Sequence, residues 1–248
     1  MANFKAWKAY MLYLIDKLVD EHELTGPFLD AGCGTGEVSI HFAQKGWKGT
    51  AVDFSEDVAA ATARQLSQFP NVTVRHGDLF QIDLPPAATV FLMDVVEHVK
   101  EDEEFIRQIA RHVEPGGHVV ITVPVNPTEW RWDDDFYGHY RRYRRSDFRV
   151  MLERSGFKVV SEWDCSFPLF WLMRRLYTLL FPRPEMGVST PEERTKISTR
   201  QSAWEYSRLS HWIDAIFSAT RLYLVHYPFR KRQWGCELLL VARREPSN

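Results

Sequence analysis

The chain has 248 residues, of which 45% are hydrophobic, 14% aromatic and 26% charged, a balance that excludes whole-chain disorder. Its 31 basic and 33 acidic residues leave a formal net charge of −2, so no basic excess points to nucleic acid. Three widely spaced cysteines, Cys33, Cys165 and Cys236, make neither a disulfide framework nor a zinc knuckle and fit a reducing compartment such as the cytoplasm.

Phe4, Trp7, Tyr10, Met11, Leu14 and Leu18 recur at helical spacing and predict an amphipathic helix over 4–20. Asp16, Asp20 and Glu21 interrupt its apolar stretch and no small-residue cleavage site follows, so it does not read as a secretory signal. Gly26 and Pro27 break the chain. Strand and helix patterns then alternate: strand 28–30, a glycine-rich turn, helix 38–45, strand 49–53, helix 55–69 with Ser55 as N-cap, strand 72–75, strand 89–94, helix 101–113, a turn at 114–117 and strand 118–123. After Pro124 the chain turns aromatic, acidic and then basic through VNPTEWRWDDDFYGHYRRYRR. A helix over 146–155, a strand over 157–163 and a last strand over 234–243 follow. The alternation predicts an α/β fold: a doubly wound, mostly parallel, seven-stranded Rossmann-like sheet with helices on both faces. The connection before the last strand, residues 165–233, is 69 positions long, far beyond a usual loop. Apolar helical patterns lie near 168–181 and 201–224, and the polar, proline-bearing stretch 182–200 reads as a mobile loop. The expected organisation is a helical cap over 1–25, an α/β core over 26–164, a helical insertion over 165–233, and the last core strand with a tail over 234–248.

Phe28-Leu29-Asp30-Ala31-Gly32-Cys33-Gly34-Thr35-Gly36-Glu37 is the most informative segment. A strand runs into a G-x-G-x-G turn that opens a helix, and glycines there let the backbone turn sharply and approach a ligand closely. The spacing is not the G-x-G-x-x-G of a pyrophosphate cradle. Asp30 would repel a pyrophosphate and suits an amine-bearing ligand. Asp53 ends the next strand, 21 residues after Gly32, where a carboxylate can accept from ribose hydroxyls. Together these ask for a nucleoside that carries an amine.

The pieces LDAGCGTGEVS, TAVDFSEDV, HGDLF, FLMDVVEHV and PGGHVVITVP, in this order across residues 28–124, resemble the class I S-adenosylmethionine-dependent methyltransferases, with quinone and natural-product enzymes as the nearest type. The resemblance implies S-adenosylmethionine as cofactor and S-adenosylhomocysteine as product. It gives Asp30 and the Gly32, Gly34 and Gly36 backbone to the methionine moiety and Asp53 to the ribose. Phe54, Asp78 and Leu79 fall to the adenine, and Met93 and Asp94 to the methyl-donor end. The expected reaction is methyl transfer to an apolar or aromatic small molecule, with oxygen favoured as the acceptor atom. The Asn/Asp-Pro-Pro-Tyr/Phe motif of base-amine methylases is absent.

His98 and His139 are the candidate bases. Asp94, Glu97 and His98 stand where some quinone-precursor O-methyltransferases carry Glu-x-x-Glu-His and bind magnesium. Asp in the first position makes the match partial, and base, loop support and metal ligation all stay open for His98; no metal is assigned. The segment after the fifth strand is the expected acceptor wall, with Trp130, Trp132, Tyr137 and Tyr140 as an aromatic pocket and Arg142 for an anionic group. The other reading of its arginines is a basic face paired with Asp133, Asp134 and Asp135. The long insertion departs from the family's short hairpin. Its apolar segment FPLFWLMRRLYTLLF is too short and too charged to span a bilayer. It reads as a cap on a greasy cavity, a helix resting on anionic lipid through Arg174 and Arg175, or a packing layer.

Overall fold

The computed structural model describes residues 5–181 and 208–245. Its centre is one sheet of seven strands in the order β3-β2-β1-β4-β5-β7-β6. β1 (Phe28–Ala31), β2 (Gly49–Asp53), β3 (Val72–His76), β4 (Ala87–Met93) and β5 (Val113–Pro124) are parallel. β7 (Glu237–Arg244) runs antiparallel between β5 and β6 (Phe157–Asp164). The central strands are apolar runs because both of their faces are covered. Phe28, Phe91, Val120, Leu239 and Val241 face one core, and Leu29, Val90, Leu92, Ile121 and Leu240 face the other.

On the first face lie α1 (Lys5–Glu21) and α2 (Glu37–Gln44); α3 (Glu56–Leu66) packs along β2 and β3. Phe42 of α2 stacks on Phe91 with ring centroids 4.9 Å apart. On the second face lie α4 (Asp102–Ile109) and α6 (Arg145–Arg154), through Ile106, Ile109, Phe148 and Leu152. β1 pairs with β2 on one side and β4 on the other, so the sheet reverses its winding at the C-terminal ends of β1 and β4. That reversal opens a crevice where open α/β sheets bind ligands.

Three local expectations are corrected. The helix predicted over 101–113 ends at Ile109 and tightens into a 3-10 turn, Ala110–His112. The turn predicted at 114–117 is absorbed into β5 as a bulge: Ala87 pairs with Val113 and Thr89 with His118, and Gly116 takes a φ of 79°. A short helix, α5 (Trp132–Tyr137), forms in the aromatic-acidic segment, and the last strand starts at Glu237, three residues later than expected.

The 165–233 segment supplies α7 (Leu169–Leu180), α8 (Arg208–Thr220) and a 3-10 stretch, Leu222–Phe229. The loop expected at 182–200 lies outside the described residues. α1 and the insertion hold each other. Asp214 of α8 accepts the Ala6 N–H at 2.8 Å and the Lys5 N–H at 3.1 Å, capping α1 from 208 residues away. Trp7 of α1 meets Phe170 of α7 edge-on at 5.0 Å, and Phe170 stacks on buried His226 at 4.3 Å. Burial pushes His226 down to about 4, so it packs as a neutral ring.

Candidate cofactor and acceptor site

The crevice is a cavity of about 510 Å³. Its floor is the C-terminal ends of β1, β2, β4 and β5 with the N-terminal end of the antiparallel β7; α1 and α7 roof it through Trp7, Lys8, Met11 and Phe170. One end is built by the glycine turn. Gly32, Gly34 and Gly36 have φ values of 78°, 50° and 79°, a left-handed backbone that costs other residues about 1 kcal/mol or more each. The N–H groups of Gly32 and Cys33 donate to Val52 O at 2.8 and 2.9 Å and fasten the turn to β2. A Cβ on Gly32 would lie 2.7 Å from Val95 Cγ2, and one on Gly36 2.7 Å from Thr62 Cγ2. A Cβ on Gly34 would meet no protein atom within 4 Å.

Two buried carboxylates flank this turn. Asp30 accepts from Ser39 Oγ at 2.6 Å. Burial pushes Asp30 up to about 7; the Ser39 bond works against this and the nearby Glu37 charge adds to it. Asp53 accepts the Gly34 N–H at 3.0 Å and the Ser55 N–H at 2.9 Å, and burial pushes it up as well. Phe54, Asp78 and Leu79 line the same end; Phe54 is exposed and Leu79 is buried. Lys8 of α1 reaches across to pair with Glu37, and lies 3.5 Å from Thr35 Oγ1 in the glycine turn.

Residues from four segments make the other end. Asp94 follows β4 with a φ of 55°, an uncommon backbone for a residue with a side chain, held by a 2.8 Å bond from its N–H to Thr122 Oγ1. Glu97, in the 3-10 turn Val96–His98, is buried. The His98 and His139 rings meet edge-on with centroids 4.9 Å apart. Glu97, His98 and His139 each bring a ligand atom within 4.8 Å of the others, a carboxylate and two imidazoles that could hold a divalent cation. The sequence pattern had put Asp94, not His139, in this group.

His139 Nδ1 lies 2.9 Å from Asp134 Oδ1. Asp134 is fully buried and also accepts from Arg142 Nε at 2.8 Å and Arg174 Nη2 at 2.7 Å. Burial works against its ionisation, but the His139 and Arg142 bonds hold its carboxyl below the usual range. Arg174 closes a two-point bond to Asp133, at 2.6 and 2.8 Å, and donates to Glu129 O at 3.0 Å. Its neighbour Arg175 pairs with Glu129 and stacks over Trp171 at 3.9 Å.

These contacts correct the reading of the charged segments. Arg174 is buried in a clamp between α7 and α5, not presented to a headgroup. Arg142 is buried against Asp134 and two carbonyls, so it borders the cavity as a support and not as an anion receptor. Arg141 pairs with Asp102 at 2.7 Å and Arg145 with Asp164 at 3.2 Å, so these arginines and aspartates are not one solvated face. Tyr137 and His139 line the cavity, whereas Trp130, Trp132 and Tyr140 do not. Trp132 instead donates Nε1–H to Thr178 O at 2.9 Å and packs on Tyr177, and Trp130 and Tyr140 are exposed. Pattern reasoning missed Ser39, Thr62, Asp134, Arg174 and Glu237. A lone acid at the head of the apolar run ELLLVA was a usable signal for Glu237.

With this geometry established, the comparisons with known proteins decide the family. A family model described as a methyltransferase domain matches residues 5–162. The chain belongs to the class I S-adenosylmethionine-dependent methyltransferases. Among curated relatives of this methyltransferase, a probable S-adenosylmethionine-dependent methyltransferase of Mycolicibacterium smegmatis is 29% identical over 135 residues, covering 53% of this chain and 51% of its own. A ubiquinone biosynthesis O-methyltransferase of Maricaulis maris is 33% identical over 127 residues, covering 47% and 50%. The methyltransferase chain thus spans about half the length of the curated relatives it matches. Among solved structures, the 4+2 cyclase SpnF superposes with a TM-score of 0.61 at 19% identity, over 95% of this chain and 81% of that one, a likeness of fold alone. Among the described residues no helix is long and apolar enough to cross a membrane.

The family's cofactor fits the residues present. At Gly34 the turn leaves open space beside its backbone, Asp30 offers a buried carboxylate to an amine, and Asp53 sits at the β2 edge with lone pairs for hydroxyls.

Proposed function

We propose that this chain transfers a methyl group from S-adenosylmethionine to the oxygen of a small molecule with an apolar or aromatic body. Asp30 and the turn from Gly32 to Gly36 hold the amino-acid end of the cofactor, and Asp53 holds the ribose. Phe54, Asp78 and Leu79 surround the adenine, and Met93 and Asp94 border the methyl-donor end. When bound, the cofactor supplies an electrophilic methyl whose leaving group is a neutral thioether. The chain must then orient a nucleophile and take its proton. The observation that carries this reading is the Asp134–His139 pair opening onto the same cavity as the glycine turn. The ionised Asp134 bonds His139 Nδ1, which fixes the ring and leaves Nε2 to accept a hydroxyl proton from the acceptor. Trp7, Met11 and Phe170 exclude water above it. Residues 5–25 and the described parts of 165–233 act as the cap.

Calorimetric titration with S-adenosylmethionine and S-adenosylhomocysteine tests the cofactor half. The parent is expected to bind both, and Asp53→Ala to bind at least about tenfold more weakly, the size of one lost charged hydrogen bond. No binding by the parent would sink the proposal. With a true acceptor, His139→Ala should lower turnover by about a hundredfold or more while leaving cofactor affinity in place; unchanged turnover would remove His139 as the base.

Asp30 gives a pH signature. Its carboxyl titrates near 7 in the empty protein, and an amine cation beside it would favour the ionised form and lower that value. Cofactor binding between about pH 6 and 7 should therefore release protons, read from the dependence of binding heat on buffer ionisation enthalpy. Asp30→Asn should abolish the release. A parent that binds with no proton release would separate Asp30 from the amine.

A further inference from the structure

The cavity end opposite the glycine turn is lined by three acids from three separate segments. Asp94 after β4, Glu97 in the following turn and Glu237 at the head of β7 all line it. Glu237 pairs in register with Pro124 at the end of β5, which brings the last strand's acid to the sheet edge beside Asp94. The Asp94 and Glu237 carboxyls are hydrogen-bonded to each other. Glu97 is only 1% exposed, and its Oε2 has no hydrogen-bond partner among the described residues. The two guanidiniums behind them give their hydrogen bonds elsewhere, Arg142 to Asp134 and two carbonyls, and Arg174 to Asp133, Asp134 and the Glu129 carbonyl, and reach the acids only as charges at a distance.

We propose that Asp94, Glu97 and Glu237 form a receptor for a protonated amine, so that the acceptor is a molecule whose apolar body carries a basic nitrogen. The inference rests on the proposed function and narrows its substrate class. A carboxylate buried without a donor is costly, and an ammonium supplies that donor to Glu97 while the paired Asp94 and Glu237 stand further along the same wall and add charge of opposite sign. The spread of the acids favours a molecular cation over an ion. Of the three, only Glu97 falls within the group of ligand atoms that a single small cation would draw together, with His98 and His139, while Asp94 and Glu237 pair outside it. The apolar roof of Met11 and Phe170 and the ring of Tyr137 suit the substituents of such an amine.

Two fragments of one shape make the test: tyramine, which carries the amine, and 4-ethylphenol, which does not. Each is titrated by ligand-observed NMR into protein saturated with S-adenosylhomocysteine. Tyramine is expected to bind at least tenfold more tightly. Glu237→Gln, a near-isosteric change that resembles the protonated acid, should cut that preference to threefold or less while S-adenosylhomocysteine affinity stays within twofold. Glu97→Gln should do the same. Equal binding of the two fragments to the parent overturns the inference, as does a preference that survives both substitutions. Stoichiometric binding of Mg²⁺, Mn²⁺ or Zn²⁺ that blocks tyramine overturns it in favour of a metal centre. Failure of the parent to bind S-adenosylhomocysteine would instead strike the proposed function itself, so the two failures are distinguishable.

Discussion

A Gly34→Ala variant is expected to keep its fold and lose its cofactor. The added Cβ meets no protein atom within 4 Å, so the empty protein bears only the strain of a side-chain-bearing residue at a φ of 50°. That strain is about 1–2 kcal/mol. The space the methyl enters is the side of the cavity where the backbone must approach a ligand. Affinity for S-adenosylmethionine should fall by a hundredfold or more, with the melting temperature lowered by only a few degrees. Gly36→Ala reports on a different quantity. Its Cβ would stand 2.7 Å from Thr62 Cγ2, whose hydroxyl donates to Gly34 O at 2.7 Å, so the packing of α3 against the turn must give way. That variant should lose stability and binding together. Differential scanning fluorimetry with and without cofactor separates the two. A Gly34→Ala protein that still binds with parental affinity would show that the ligand does not approach this backbone.

The second large effect belongs to Arg174. Arg174→Met keeps the stem but removes the guanidinium, leaving Asp133 and Asp134 without the cation that ties them to α7. Breaking one partner of a buried ion pair costs about 3–5 kcal/mol, because the remaining charge is stranded. In a chain of this size that is a fall in melting temperature on the order of 10 °C. Arg175→Met is the control. Arg175 is 39% exposed at its side chain and its ion pair with Glu129 is partly solvated, so the loss should be within about 1 kcal/mol. A melting point for Arg174→Met equal to that of Arg175→Met would show that the clamp does not hold the cap. Asp134 also carries His139, so Arg174→Met should lower turnover as well.

The parts of the fold that follow local pattern were legible in the sequence. β2 spans the residues predicted for it; the glycine turn and Asp30 stand at the crevice because strand, turn and helix are specified within ten consecutive residues, and Asp53 joins them from the end of β2. What escaped was made by long-range pairing. Asp134 looked like one of three solvated aspartates, and only the arrival of Arg174, forty residues on, makes it a buried anchor. Trp132 had the composition of a pocket wall but packs against α7, with its indole N–H on Thr178 O and its ring on Tyr177, a partner more than forty residues on. Glu237 became part of the site because β7 inserts between β5 and β6, a strand order that no local window contains.

The cap on α1 has a consequence for how the cavity opens. The roof is fastened between residues near position 5 and position 214, while the strand pairings lie in the sheet between them. Undoing the Asp214 bonds and the Trp7–Phe170 contact loosens the first turns of α1 without breaking a strand pairing, while Leu14, Ile15 and Leu18 keep the rest of the helix in the core. Amide exchange in the first turns of α1 should therefore proceed through a partial opening, far easier than the global unfolding that exposes β4 and β5. Cofactor entry and product exit then have a route that the rigid floor never has to supply, and Asp214→Ala would widen it while leaving the protection of the central strands intact.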